Sequence, residues 1–246
     1  MCGRYTIIYK EKEISDTLQV QLDLPFPDHY NATPSTLKNP IPMPVISSAQ
    51  PGIISYYVWG LVPFFSKESA TKYSTINARI ETILSSPSYR MPIRKQHCLV
   101  LANSYFEWQK TTKGTKQPYT IFHRDTSVFA FAGIWDRWID AGGTAHYTYS
   151  IITAPAFAYI RELHDRMPVI IKPDNYTKWL HPTLPVTDTL DILADNMNTR
   201  LNAYPISSAV NSPSHSTPDL LKPIGPLVFA AEAGNRWPQV ELKDRH

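Results

Sequence analysis

Val128-Phe129-Ala130-Phe131-Ala132-Gly133-Ile134-Trp135 is a strand-like run in the middle of the chain, and a second such run spans residues 144–153. The two runs are joined through Asp140-Ala141-Gly142-Gly143, which has the composition of a hairpin turn. Further β-type runs lie on both sides, at residues 5–9, 53–59, 97–102, 105–109, 118–123, 169–171 and 204–210. Because these runs are central and mostly consecutive, we expect an α+β fold with a curved, mainly antiparallel sheet or barrel-like core surrounded by short helices.

The segments around the sheet predict short helices and one long loop. Residues 11–20 mix apolar and charged side chains in the manner of an amphipathic helix. Residues 77–84 are typical of a helix start, with Thr75 or Asn77 as the capping residue. The proline-rich residues 24–44 predict an ordered surface loop.

The bulk composition is that of one folded domain with little charge bias. The 246 residues contain neither a repeat nor a long linker, so we expect a domain over residues 1–223 and a C-terminal tail over residues 224–246, packing on it or trailing from it. A net charge of +3 permits a basic patch for phosphates without demanding one. The two cysteines, Cys2 and Cys98, belong to no Cys/His cluster, which argues against a disulfide framework, a metal site or a cofactor. Without a signal peptide or an apolar run of about 20 residues, we expect a soluble, intracellular monomer with no membrane partner.

The N-terminal stretch Met1-Cys2-Gly3-Arg4 carries an unusual chemical possibility. If Met1 is removed, the α-amine and the thiol of Cys2 lie on adjacent carbons. An α-amine titrates near pH ~8, so a useful fraction is unprotonated at neutral pH. Such an amine condenses with an aldehyde to an imine, and the thiol can then close a thiazolidine ring. The alternative is that Cys2 is only a small residue at a frayed terminus.

Three further side chains could support such chemistry, and each also has a structural interpretation. Asn77 suits a helix N-cap. Glu107 lies in the aromatic run Tyr105-Phe106-Glu107-Trp108, either facing solvent or in a desolvated cleft that would raise its pKa. His164 is either a structural histidine or a proton-transfer group. Three arginines adjoin these candidates and would form an anion site if they faced one cleft: Arg4, Arg79 and Arg166.

Eight short motifs occur in a fixed order along the chain. They are Met1-Cys2-Gly3-Arg4-Tyr5, Tyr30-Asn31-Ala32-Thr33-Pro34, Trp59-Gly60-Leu61-Val62-Pro63, Ile76-Asn77-Ala78-Arg79-Ile80-Glu81-Thr82, Phe106-Glu107-Trp108, Gln117-Pro118-Tyr119, Leu163-His164-Asp165-Arg166-Met167-Pro168 and Ala209-Val210-Asn211. Together they resemble the SRAP (SOS-response-associated peptidase) family, whose members shield abasic sites in single-stranded DNA. The resemblance spans nearly the whole chain.

The resemblance implies a set of roles for these residues. Cys2 captures the ring-opened aldehyde of an abasic sugar and ends as a thiazolidine crosslink. Asn77 positions the Cys2 amine and the sugar, Glu107 manages protons during imine formation, and His164 assists ring opening and crosslink reversal. The implied DNA-facing groove and lesion pocket contain Arg4, Asn31, Pro34, Phe65, Arg79, Trp108, Thr153 and Arg166. The family name implies an autopeptidase activity that removes Met1.

The chain departs from the family pattern at two places. The family often carries tryptophan where this chain has Phe64-Phe65-Ser66, and Asn103-Ser104 replaces a more usual Asp-Gly pair. Two other functions stay open on the sequence. One is a cysteine peptidase that uses Cys2, His164 and Asn77 on peptides, and the other is a non-covalent single-stranded DNA-binding protein.

Overall fold

The computed structural model describes residues 2–8, 11–18, 26–69, 74–195 and 200–229. The strands of these ranges are β1 (Tyr5–Ile7), β2 (His29–Ala32), β3 (Pro42–Ser47), β4 (Ile54–Trp59), β5 (Asn77–Arg79), β6 (His97–Ala102), β7 (Ser104–Lys110), β8 (Lys116–His123), β9 (Phe129–Ile139), β10 (Ala145–Pro155), β11 (Arg166–Pro168), β12 (Ile170–Ile171) and β13 (Leu201–Pro205). The α-helices are α1 (Glu11–Leu18), α2 (Pro92–Lys95), α3 (Tyr176–Trp179) and α4 (Val186–Asp195). Several predictions fall outside the described residues: those on Met1, on residues 9 and 19–25, and on the tail beyond residue 229.

The predicted central hairpin is present and closes a barrel. β9 and β10 pair antiparallel, from Gly133 opposite Ile151 to Ile139 opposite Ala145. Seven strands of the eight-stranded sheet have the order β11-β10-β4-β3-β6-β9-β12, and the eighth, β5, pairs with β10. The additional β9–β10 pairing joins β10, β4, β3, β6 and β9 into a ring. The predicted α+β fold with a barrel-like, mainly antiparallel core is confirmed.

Close packing in this barrel requires glycine at one position. Gly133 on β9 lies opposite Cys98 on β6. A Cβ atom added to Gly133 would lie 2.6 Å from the Cys98 Sγ. Cys98 is fully buried there, so its thiol fills the space that the glycine leaves.

A second sheet positions the N-terminal motif. Its order is β13-β8-β7-β1-β2, and β1 pairs antiparallel with β7, with Tyr5 opposite Tyr105. The pairing continues toward the N-terminus through the Phe106 backbone N–H, which donates to the Arg4 carbonyl at 3.0 Å. Cys2 and Arg4 are therefore held beside the strand that carries Glu107.

The helix predicted over residues 77–84 is wrong. Asn77–Arg79 instead form β5, which pairs in parallel with β10, and a 3-10 helix follows at Ile80–Thr82. The partner strand is distant in sequence, so local composition did not indicate the pairing.

The loop predicted over residues 24–44 contains β2 and the start of β3. Pro42 and Pro44 are tolerated in β3 because they pair with β4 alone, whereas pairing with β6 begins at Val45. A proline has no N–H to offer a second neighbouring strand.

The C-terminal part of the described chain follows β13. The strand ends at Pro205, and Ser208–Asn211 form a 3-10 helix where the sequence predicted more strand. Residues 224–229 return along β13, where the Ile224 N–H donates to the Pro205 carbonyl at 2.9 Å. In the described part of the chain, no helix is long and apolar enough to cross a membrane.

Candidate functional site

Cys2 lies at the centre of the site and is fully buried in the chain that carries Met1. The Asn77 side-chain amide donates to the Cys2 carbonyl oxygen at 2.8 Å. The Cys2 Sγ lies 3.7 Å from the Arg4 carbonyl oxygen, a weak contact. The backbone of Cys2 is thus held more firmly than its thiol.

Asn77 reaches Cys2 because β5 lies against β10 rather than forming a helix. Its side chain is buried, and the Tyr89 hydroxyl donates to its backbone carbonyl at 3.1 Å. Among the described residues, the Asn77 Oδ1 atom has no hydrogen-bond partner. A buried amide oxygen in this state is an acceptor ready for an amine or a sugar hydroxyl.

Glu107 is a buried carboxyl group on the neighbouring strand β7. Burial raises the pKa of Glu107 to about 7, because the charged form loses its hydration. Near neutral pH, both protonation states are populated, which suits a group that must give and take protons.

His164 faces Glu107 and completes the group of four predicted catalytic side chains. The His164 Nε2 atom lies 3.7 Å from the Glu107 Oε2 atom. The His164 Nδ1 atom accepts from the Arg166 backbone N–H at 3.0 Å and also lies 3.2 Å from the Arg166 carbonyl oxygen and 3.1 Å from the Asp165 Oδ1 atom, and these contacts hold the ring with Nε2 toward Glu107. Partial burial lowers the pKa of His164, so the neutral ring is favoured.

The Cys2 thiol is electrostatically disfavoured as a thiolate. Burial raises the pKa of this thiol well above its ordinary value, and the nearby Glu107 carboxylate adds to the effect. A cysteine peptidase needs the opposite, a thiolate stabilised by a positive partner. Burial and the adjacent carboxylate therefore favour the protonated form of this thiol.

Arg166 is bound within the protein at one side of the site. Its guanidinium group forms a two-pronged ion pair with Glu81 and also donates to the Thr153 carbonyl at 2.8 Å. The Arg166 backbone N–H also bonds the His164 ring, so the same network holds the loop that carries the imidazole.

Arg4 is bound within the protein at the other side. It donates to the Asn31 Oδ1 atom at 3.1 Å and to the Asn211 carbonyl at 3.0 Å. Its guanidinium carbon lies 5.9 Å from the centroid of the half-buried Trp108 ring.

Phe65, Arg79 and Pro34 lie nearer the solvent. Phe65 is 53% exposed and packs edge-to-face on Phe64, with ring centroids 5.3 Å apart. Arg79 is exposed, and no ion pair forms on it within the described ranges. Pro34 is partly exposed.

Two contributors were not singled out from the sequence, although the quoted motifs contained both. Glu81 binds the guanidinium of Arg166, and Asn211 accepts a hydrogen bond from the Trp108 indole at 2.8 Å. The sequence offered no signal for either pairing, because each joins segments far apart along the chain.

The chain matches the model of a family described as SOS response associated peptidase (SRAP) over residues 1–213. Abasic site processing protein YoqW of Bacillus subtilis is 34% identical over 230 residues, which is 90% of this chain and 99% of that protein. Abasic site processing protein HMCES of Gallus gallus is 35% identical over 191 residues, covering 68% of this chain and 56% of its own. A crystal structure of a protein from Bacteroides thetaiotaomicron has a TM-score of 0.76 at 29% identity, covering 90% of this chain and 99% of that one.

Proposed function

The chain belongs to the SOS response associated peptidase family, and we propose that it recognises abasic sites in single-stranded DNA and bonds to them covalently through Cys2. One observation carries the proposal: the Asn77 amide holds the Cys2 carbonyl at 2.8 Å within a site that also contains a buried carboxyl group and an imidazole. The relatives named abasic site processing proteins support the choice of substrate.

The proposed reaction joins an aldehyde to the Cys2 aminothiol with release of one water. The amine attacks the aldehyde carbon to give a carbinolamine, whose hydroxyl group takes a proton and leaves as water, which forms a protonated imine. The thiol sulfur then bonds to the carbon of this protonated imine and releases its proton, closing a thiazolidine whose nitrogen keeps the hydrogen it already carries. Protonated Glu107 supplies the proton for the departing hydroxyl, and the resulting carboxylate takes the proton of the incoming thiol.

The Glu107–His164 pair has a second proposed role, in the opening of the abasic sugar. Opening moves one proton from the hydroxyl on the anomeric carbon to the ring oxygen. A pair of groups 3.7 Å apart, one with a pKa of about 7, supplies both an acceptor and a donor for this transfer. The free Oδ1 of Asn77 can orient the attacking amine.

The proposed DNA surface joins exposed and internally bound groups. Arg79 is exposed and takes a phosphate, and the guanidinium group of Arg4, whose partners are uncharged, adds positive charge to the groove. Arg166 lines the same groove with its charge paired to Glu81. Trp108 and Phe65 serve as stacking surfaces, which accept any base sequence. The other groove residues proposed are Asn31, Pro34 and Thr153. We propose that the protein acts on DNA as a monomer.

The peptide bond to Met1 makes removal of that residue a necessary step of this proposal. A peptide bond to Met1 occupies the Cys2 nitrogen, and the thiol is fully buried in that form. We propose that the chain removes Met1 itself, which would account for the word peptidase in the family description.

The decisive experiment is incubation of the mature protein with a single-stranded oligonucleotide bearing one abasic site. We expect a protein–DNA band that survives denaturation and is absent with Cys2→Ser and with a tag retained ahead of Met1. Cys98→Ser is the matched cysteine control and should keep the band. A non-covalent binder would shift the oligonucleotide in native gels without such a band, and a peptidase would cleave peptides without DNA; either pattern refutes the proposal.

A further inference from the structure

Residues 210–215 form a strap that is held from beneath by Asn31. The Asn31 side-chain amide points at the carbonyl oxygens of Val210 at 3.1 Å, Ser212 at 3.0 Å and His215 at 2.9 Å. Asn31 is buried, and its bond to the Val210 carbonyl is buried as well, whereas the bonds to Ser212 and His215 are partly buried.

Arg4 holds the same strap from the side. Its guanidinium group donates to the Val210 carbonyl and to the Asn211 carbonyl, and it also bonds the Asn31 Oδ1 atom. Two side chains with an obvious DNA-binding interpretation are therefore directed at a piece of the protein's own backbone.

The strap in turn holds the Trp108 indole. The indole N–H donates to the Asn211 Oδ1 atom at 2.8 Å. The ring also packs against a small apolar cluster that contains Val210 and Phe106. These contacts restrict rotation of a half-buried ring beside the Cys2 motif.

We infer that Asn211 is a positioning residue, which fixes the Trp108 indole as the stacking surface for a base next to the abasic site. Arg4 and Asn31 act in the same way, by holding the strap that carries Asn211. A base beside a missing base has lost one stacking neighbour, so an aromatic ring already held in place can replace it at little entropic cost. The inference rests on the proposed function and assigns Asn211 a role in it.

A double-mutant cycle on non-covalent binding tests the inference. The probe is a single-stranded oligonucleotide with a tetrahydrofuran abasic analogue, which offers no aldehyde and so separates binding from crosslinking. Asn211→Ala loses the hydrogen bond from the Trp108 indole, so we expect this variant to bind the probe about twofold to tenfold more weakly than wild type. Trp108→Phe keeps an aromatic ring but has no N–H to donate. The double variant should therefore differ from Trp108→Phe in its affinity for the probe by less than about 1.5-fold.

Two controls separate positioning from a general loss of structure. Asn175→Ala removes a partly exposed asparagine that bonds Asp195 elsewhere, and this variant should bind the probe as wild type does. In NMR spectra of the DNA-free protein, the Trp108 indole N–H resonance is identified by its loss in Trp108→Phe. This resonance should shift in Asn211→Ala, while the midpoint of thermal unfolding stays near that of wild type.

The outcomes are distinguishable. If wild type binds the probe but the effects of the two substitutions add, or if the indole resonance does not move, the inference is refuted and the proposed function stands. If wild type does not bind the probe at all, the inference is refuted, and the crosslinking experiment decides the proposed function separately.

Discussion

Glu107→Gln should make the folded protein more stable than wild type at pH values above about 7, and the size of the effect follows from burial. The pKa of Glu107 rises from 4.5 to about 7 on folding, and at about 1.4 kcal/mol per pKa unit the change corresponds to roughly 3 kcal/mol. Well below pH 4.5 the carboxyl group is protonated in both states and carries no penalty. Between these pKa values the unfolded chain has released the proton that the folded chain retains. Wild-type stability therefore falls as the pH rises, and above pH 7 the full loss is reached.

Urea unfolding of both proteins across about pH 5 to 8.5 measures the effect. The useful quantity is the difference between the two free energies of unfolding. His164 contributes the opposite slope, since partial burial lowers its pKa, but it is present in both proteins and cancels to first order. We expect wild type to lose roughly 2.5 kcal/mol relative to Glu107→Gln over this range, since part of the loss has already occurred at pH 5. A difference that stays constant with pH would show that Glu107 is solvated in the folded state and would remove its proposed role as a proton donor.

Three other substitutions test separate parts of the structure. Arg79→Ala should weaken binding to single-stranded DNA and flatten the salt dependence by about 0.7 log units per tenfold change in salt; an unchanged slope excludes a phosphate contact at this residue. His164→Ala should slow release of the crosslink, followed on denaturing gels, more than it lowers DNA affinity, and equal release rates would argue against a role for the imidazole in reversal. Asp136→Ala should lower the free energy of unfolding in urea by about 1–3 kcal/mol, because the buried Asp136 carboxylate accepts the Phe64 N–H at 2.9 Å; an unchanged midpoint would contradict this.

The sequence predicted strands correctly where the residue types of the segment and its flanking turn were enough to indicate them. The central hairpin has aromatic and β-branched runs on both sides of a glycine turn, and the structure places β9 and β10 there. The same reasoning failed at Asn77, where a capping residue before an apolar run indicated a helix. Asn77 pairs in parallel with Ile151 on β10, and this pairing makes the segment a strand. Local propensity carries no information about a partner so distant in sequence.

By itself, the sequence determined the family, through the order of its motifs, and the chemical types available to a site: a thiol, an amide, a carboxyl group and an imidazole. Only the tertiary structure decided their environment. It buries Glu107 and so moves its pKa close to neutrality, turns the Asn77 amide toward Cys2, and directs the guanidinium groups of Arg4 and Arg166 to protein partners. The physical reason is that desolvation and hydrogen-bond geometry depend on which distant segments meet in space, whereas a motif records only which side chains are present.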